Sequence, residues 1–384
     1  MQPSHLAAAA ELLASDWAEG DRPLTSEEQP TAILRFLGLL GPCGDVRLTT
    51  EERRHFARLL RMAARLDAVF PMRIPTAPGA AFFGARRTHA GGNELAGSCK
   101  PRQTDYAGLA GRLAQAFSAC VGEAAEHDAM FLRRSDSRPA ADGTLPLLDK
   151  AFRADGSIEA GRILREAGDT PFPAPRSSTG YAAGPTLAEA ALSALLECIE
   201  RHAISLWFDR RRKPGPLTLA NETVQQIVRL RGEAAPRCRL LRLPHEIVGA
   251  PVAAAYSVSA AGAFAIGYGC ALSLEQASFK AVRELCQGEF ALRLEAQSGH
   301  ADSLAFTKRS RMFALNMDLF ETAGGATAPD RRHADLAGLC AALDRRVRFV
   351  NLSVSENSVP VVCALAGGLR DIAGEISPDQ TGPL

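Results

Sequence analysis

Thr186-Leu187-Ala188-Glu189-Ala190-Ala191-Leu192-Ser193-Ala194-Leu195-Leu196-Glu197-Cys198-Ile199-Glu200-Arg201-His202 opens a long helix whose pattern occurs three times in this chain. Thr186 stands at the N-cap with Glu189 at the capping-box position. From Glu189-Ala190, Glu197 follows eight residues on and Glu200 three after that. Gln115-Ala116 leads at the same offsets to Glu123 and Glu126, and Gln276-Ala277 to Glu284 and Gln287. Each window ends in an apolar and basic tail: Phe131-Leu132-Arg133-Arg134, Trp207-Phe208-Asp209-Arg210 and Ala291-Leu292-Arg293. Helical positions three apart share a face, and a residue eight back lies about two turns away on nearly that face. The intervening residues are mostly Ala, Leu, Val, Ile and Cys, a core composition. Acidic pairs on such helices are costly unless something cationic binds them.

Outward from these windows the chain alternates helical and strand-rich stretches. Residues 1–75 read as helical, with 49–52 capping an amphipathic stretch at 55–66. Residues 71–97 turn to Pro, Gly and Ala with a short aromatic strand near 81–83, which places a boundary there. The chain divides into a helical N-terminal region, 1–78, and a second unit, 79–384. The first repeated helix is expected over 109–134, followed by a polar segment at 135–142 and a mixed region ending in the proline-spaced stretch 171–175. A small-residue loop, 176–186, enters the second helix at 187–211. Residues 239–243, 252–258 and 262–269 read as neighbouring antiparallel strands before the third helix, 274–295. A helix near 334–343 and strands at 347–354 and 359–365 complete an α+β pattern, with long helices packed against mixed or antiparallel sheet.

The 384 residues are 46% hydrophobic and carry 44 basic and 43 acidic side chains, for a net charge of +1. This balance argues against nucleic-acid or membrane binding, and the runs Arg210-Arg211-Arg212 and Arg331-Arg332 read as solvated faces. The nine cysteines show no CxxC pair and read as reduced thiols, with Cys120, Cys198 and Cys286 serving as small core residues. No apolar run approaches the ~20 residues that span a bilayer. The apolar stretch 5–13 lacks a basic flank and reads as an amphipathic helix, so a cytoplasmic protein is expected.

Familiar phosphate-binding motifs are missing. Residues 92–97 have P-loop glycine spacing, but Ser98-Cys99 stands where Lys and Ser or Thr are required. Gly267-Tyr268-Gly269 lacks the third glycine of a dinucleotide turn and is left without a role. His127 and His202 each follow an acidic pair but have no partners at metal-ligand spacing. For a lone ExxE pair, ordinary surface salt bridges are the commoner explanation. Three copies at identical offsets in apolar helices point to a site. If the first two helices pack side by side, Glu123, Glu126, Glu197 and Glu200 form a hard-oxygen set suited to Mg²⁺ carrying a nucleotide, with Arg201 balancing phosphate charge.

The stretch 178–184, continuing through Leu196-Glu197-Cys198-Ile199-Glu200-Arg201-His202-Ala203 to Trp207, closely resembles the central signature of the YcaO family. Residues 111–126 resemble its first ATP-site helix, and 277–287, with an ExxQ, its third. The resemblance covers residues 80–375 and implies a YcaO-like fold that binds ATP and Mg²⁺ without a phosphate loop. Carried over, it assigns Glu123, Glu126, Glu197 and Glu200 to Mg²⁺. It assigns Glu189 to the nucleoside, Arg201 and Lys280 to phosphate, and Glu284 and Gln287 to the rest of the ATP pocket. Glu197, Glu200 and Arg201 are the implied catalytic residues. His127, Ala119, Ala182 and Pro185 depart from the family pattern, and Pro378-Asp379-Gln380-Thr381-Gly382-Pro383-Leu384 lacks a PxPxP tail. Such departures resemble the YcaO subunit of microcin-type azole synthetase complexes.

The resemblance implies an ATP-dependent cyclodehydratase converting Cys, Ser or Thr of a ribosomally made precursor peptide to thiazoline or oxazoline, by phosphorylation of the backbone amide oxygen. It implies a hetero-oligomer with the precursor peptide, an E1-like leader-peptide-binding partner and an FMN-dependent dehydrogenase. Thioamide or amidine formation is the alternative within the same chemistry. A non-catalytic scaffold, suggested by His127 and Pro185, is the alternative outside it.

Overall fold

The computed structural model describes residues 1–14, 29–41, 48–89, 102–132, 139–166, 178–209, 212–233, 235–260, 262–297, 317–322, 335–343, 347–371 and 374–376. The tail Arg133-Arg134, the run Arg210-Arg211, the pair Arg331-Arg332, residues 92–97, 171–177 and 378–384, Cys43 and Cys99 lie outside the described residues.

Helices α1 (Pro3–Ala14), α2 (Gln29–Phe36) and α3 (Thr50–Ala63) come first. Thr49 caps α3 in a full capping box: its hydroxyl accepts from the Glu52 N–H, and the Glu52 carboxylate accepts from the Thr49 N–H. Strands β1 (Ala68–Met72), β2 (Ala81–His89) and β3 (Arg102–Ala110) form an antiparallel sheet against which α4 (Leu113–Ala129) packs. The expected helix at 109–134 is therefore shorter. Leu109 and Ala110 finish β3, Gly111 and Arg112 make the turn, and Phe131–Leu132 is strand β4, paired in parallel with β7 (Arg165–Glu166). The boundary drawn at 78 falls between two strands of one sheet, and a single apolar core joins Leu6, Leu34 and Leu60 to Phe83, Phe117 and Val350.

The mixed region resolves into β5 (Thr144–Leu148), β6 (Ala154–Glu159) and the one-turn α5 (Ala160–Ile163). Next come β8 (Tyr181–Ala183), α6 (Leu187–Phe208), β9 (Gly215–Pro216) and α7 (Asn221–Arg231). Strands β10 (Arg239–Leu243), β11 (Val252–Val258) and β12 (Phe264–Cys270) pair antiparallel as expected and lead into α8 (Leu274–Gln297). The chain continues with α9 (Leu336–Ala342), β13 (Val347–Asn351), β14 (Val361–Ala366), β15 (Leu369–Asp371) and β16 (Gly374–Ile376).

The larger sheets run β1-β2-β3, β12-β11-β10-β9 and β6-β5-β13-β14-β8. Alternation along β11 explains its composition. Ala254 and Tyr256 face the core under α6, while Ala253 and Ala255 face the core under α8. A strand covered on both faces has room for small side chains, and its one polar residue, Ser257, is buried with a partner in Glu289. No described helix is long and apolar enough to cross a membrane.

Three strand–helix units position everything that follows: β3 with α4, β8 with α6, and β12 with α8. In each, the strand is at the edge of its sheet. In the first and third, glycine lets the helix lie directly on the strand. A Cβ on Gly108 would overlap the Ala116 carbonyl and the Cys120 nitrogen, and one on Gly269 would overlap the Ala277 carbonyl. Gly267 meets α8 in the same way at Ala281 and Leu285. The Gly267-Tyr268-Gly269 motif is thus a packing surface. Cys120, Cys198 and Cys286 are wholly buried free thiols, as their setting in the windows suggests.

Candidate active site

An edge strand has backbone N–H groups with no ladder partner, and a buried N–H needs an acceptor. Here the acceptors are the repeated acids. Glu123 accepts from the Ala107 N–H at 2.9 Å, Glu197 from Gly180 at 3.1 Å and Glu284 from Tyr268 at 2.6 Å. The first acid of each window therefore binds the strand of its own unit, or for Glu197 the residue just before that strand, sixteen or seventeen residues upstream. The second acid binds the next unit: Glu126 accepts from Ala183 on β8 at 2.7 Å, and Glu200 from Cys270 on β12 at 3.0 Å. Helix α8 in turn contacts β3, so the three units close on one another. α4 and α6 meet through β8, on which both pack, rather than along a shared helix–helix face.

Glu123, Glu126 and Glu197 line one cavity of about 400 Å³, together with Tyr106, His127, Met130, Ser178 and Tyr181. Burial raises the carboxyl of Glu126 to about 8, against one backbone hydrogen bond and with Glu197 and Glu123 adding repulsion. Burial likewise raises Glu197 to about 7, and it pushes Glu123 upward. On the far side of α6, Glu284 is raised to about 7 by burial, with Glu200 reinforcing the shift. Arg201 and Lys280 oppose these shifts: both act on Glu197 and Glu284, and Lys280 also on Glu126. Arg201 lies 3.7 Å from Glu197 on the same helix, and the Lys280 ammonium donates to the Cys270 carbonyl at 3.3 Å.

Of the expected residues, Glu200, Arg201, Lys280, Glu284, Glu189 and Gln287 do not line this cavity. Glu189 is exposed in the first turn of α6, held by the Thr186 hydroxyl at 2.9 Å, and its charge acts on His55 of α3. Gln287 sits one turn beyond Glu284, half buried. His127 is at the cavity wall, its Nδ1 3.1 Å from the Tyr106 hydroxyl and its ring against Phe131. His202 serves structure instead. Its Nδ1 accepts from the Arg370 N–H, so its Nε2–H faces Glu246 at 3.0 Å. Tyr106 and Tyr181 were not singled out from the sequence, and Tyr106 belongs to a strand that composition did not reveal.

This donor set fits Mg²⁺ and a nucleotide. Buried carboxylates with raised proton affinity are short of positive charge, and hard oxygens are what Mg²⁺ takes. Among the described residues no three His, Cys, Asp or Glu side chains form a cage unaided. Mg²⁺ bound beside phosphates needs only one or two carboxylates, the rest of its shell being phosphate and water.

Comparison with known proteins agrees. A family model described as YcaO cyclodehydratase, ATP- and Mg²⁺-binding, matches residues 164–370, more than half the chain. The match includes Glu189 through Gln287 but not the first acidic helix. YcaO from Methanopyrus kandleri, solved with AMPPCP and Mg²⁺, superposes with a TM-score of 0.61 at 22% identity, over 82% of this chain and 89% of that one. A heterocyclase in complex with substrate and cofactor gives 0.65 at 17% identity, over 91% of this chain and 57% of that one. The E. coli microcin synthetase McbBCD complex with pro-MccB17 bound gives 0.53 at 15%, over 78% and 87%. At these identities the likeness is one of fold. Comparison with curated proteins finds no match. ATP and Mg²⁺ are the cofactors, and the chain belongs to the YcaO family of ATP- and Mg²⁺-binding cyclodehydratases.

Proposed function

We propose that this chain is the ATP-using cyclodehydratase subunit of a cytoplasmic complex that modifies a ribosomally made peptide, closing Cys, Ser or Thr onto the preceding carbonyl as thiazoline or oxazoline. Residues 79–384 would be the catalytic unit, with 1–78 packed on it. The observation that carries this reading is the cluster of five acids at the junction of the three units, each accepting one backbone N–H, with Glu123, Glu126, Glu197 and Glu284 pushed up in proton affinity by desolvation.

Mg-ATP, when bound, supplies the phosphoryl group that turns an amide oxygen into a leaving group. Glu123, Glu126, Glu197 and Glu200 would hold Mg²⁺. Each has one oxygen fixed by a backbone N–H, which orients the carboxylate without rearrangement, and such preorganisation is a large part of phosphoryl-transfer catalysis. Arg201 and Lys280 would face phosphate, and Glu284, Gln287 and Glu189, which stand outside the carboxylate cavity, would meet the rest of the nucleotide. The ring-closing nucleophile belongs to the peptide. The thiols of Cys120, Cys270 and Cys363 are buried and pushed up in pKa, which leaves them unreactive.

An E1-like subunit binding the leader peptide and an FMN-dependent dehydrogenase are the expected partners. The microcin synthetase complex of similar fold, solved with pro-MccB17 bound, supports a multisubunit assembly. Mass analysis of precursor treated with the complex and ATP is the test. Loss of one water per ring supports the reading, whereas replacement of oxygen by sulfur or addition of an amine assigns the chain to thioamide or amidine formation. Unchanged processing and ATP turnover with Glu197→Gln would make it a scaffold.

A further inference from the structure

The reverse side of α4 borders a second cavity, of about 210 Å³, between α3 and the β13–β14 connection. We propose that this cleft binds an acidic peptide segment, its carboxylate between Arg58 and Arg61 and a neighbouring apolar side chain against Met62, Leu352 and Val359.

Arg58, Arg61 and Arg65 follow one another at three and four residues, so α3 presents them as a row. A guanidinium has five N–H donors. Arg58 spends one on the Glu356 carbonyl at 2.9 Å and has no carboxylate partner among the described residues. Arg61 meets Glu11 at 3.0 Å in an open pair with the acid 70% exposed, a contact that water readily replaces. Arg65 shares Asp128 with Arg87. Cationic donors therefore outnumber local acids. The opposite wall is lined by Ser355, Asn357 and Ser358, with the exposed Glu356 between them as its one acid, and the floor is apolar.

A bare phosphate would satisfy the guanidinium forks and leave that floor wet. A carboxylate next to an aliphatic group satisfies both, since guanidinium and carboxylate pair fork to fork. The volume is several times the ~30 Å³ share of one water, room for a side chain or two. Ala125, Asp128 and Ala129 of α4 face this cleft, while Glu123, Glu126 and His127 face the carboxylate cavity. A segment docked here lies about one helix diameter, ~10 Å, from the site. Binding in the cleft does not depend on which reaction the carboxylates perform.

The test uses the full chain at low salt and fluorescence anisotropy of a labelled Glu-Leu-Glu-Glu-Leu-Glu peptide, with a Lys-for-Glu peptide as control. The acidic probe should bind and the basic one should not. Arg58→Gln with Arg61→Gln should weaken binding roughly tenfold or more, since at least one charge-assisted hydrogen bond is lost with the two guanidiniums. Asn357→Asp, on an exposed loop where folding is not at issue, should weaken it about threefold by placing like charge across the cleft. Unchanged affinity in both variants, equal binding of both probes, or complete displacement by millimolar inorganic phosphate would overturn the proposal, the last by making the cleft a small-anion site.

Discussion

Two regions of this protein take carboxylates wholly or partly out of water, and they treat them in opposite ways. Under α7, Glu289 receives both ends of the Arg231 guanidinium, at 2.9 and 3.1 Å, plus the Ser257 hydroxyl, and Arg231 also donates to the Pro236 carbonyl. Both side chains of that pair are about 5% exposed. At the junction of the three units, five acids receive one backbone N–H each, with Arg201 and Lys280 spread among them. The first arrangement is complete and fastens α7 to α8. The second has two cations, Arg201 and Lys280, for five acids, and the Mg²⁺-binding role proposed above rests on that difference. Burial of charge alone distinguishes nothing; what matters is whether the fold itself neutralises it.

The sharpest way to break this contrast is Glu197→Gln. Activity of the assembled complex should fall roughly 10²–10³-fold, as when a preorganised electrostatic group is removed. At pH 8 the melting temperature of the nucleotide-free chain should nevertheless rise, because a destabilised charge has gone. A variant that loses both stability and activity would show that Glu197 is a structural acid like Glu289. Arg231→Ala is the converse. It strands a buried carboxylate and should cost about 3–5 kcal/mol in denaturant unfolding, while replacing both partners with apolar residues should recover most of that.

The sequence disclosed the acids and their helices more readily than what holds them. The 8-and-3 spacing identified α4, α6 and α8, and short apolar runs bounded by turn residues identified β10, β11 and β12. Both are local signals. Strand β8 escaped notice because Tyr181-Ala182-Ala183 is too short to alternate, and its partner β14 lies far along the chain. Helix α7 was missed although Thr223, Ile227 and Leu230 have helical spacing and are buried. That the repeated acids cap edge strands could not be read from spacing, since Glu126 and Glu200 bind N–H groups 57 and 70 residues away. Gly108 and Gly269 were the available clue, standing in corresponding places before the first and third windows.

Titration sharpens the comparison further. Glu126, Glu197 and Glu284 hold protons more tightly folded than unfolded, so the stability linked to them is full below the unfolded value of 4.5 and is lost as pH rises through about 7 to 8. Thermal melts of the nucleotide-free chain should decline across that window, and Mg-ATP should lift the curve most at its alkaline end. A flat profile would mean that the acids are already neutralised. The smallest effect should come from Thr186→Ala, which removes the cap of α6 at about 1 kcal/mol and loosens Glu189 without touching the buried acids. Calorimetry alongside the nucleotide affinity would separate the two.

Gln287 gives the three-unit arrangement a direction. A perfect repeat would place an acid at every corner and draw a cation equally toward each. With a neutral amide in the last position, the electric field leans toward the first two helices, where Glu123, Glu126 and Glu197 share the cavity. If the acids hold Mg²⁺ as proposed, the cations of an arriving polyanion would gather on the side of the first two helices.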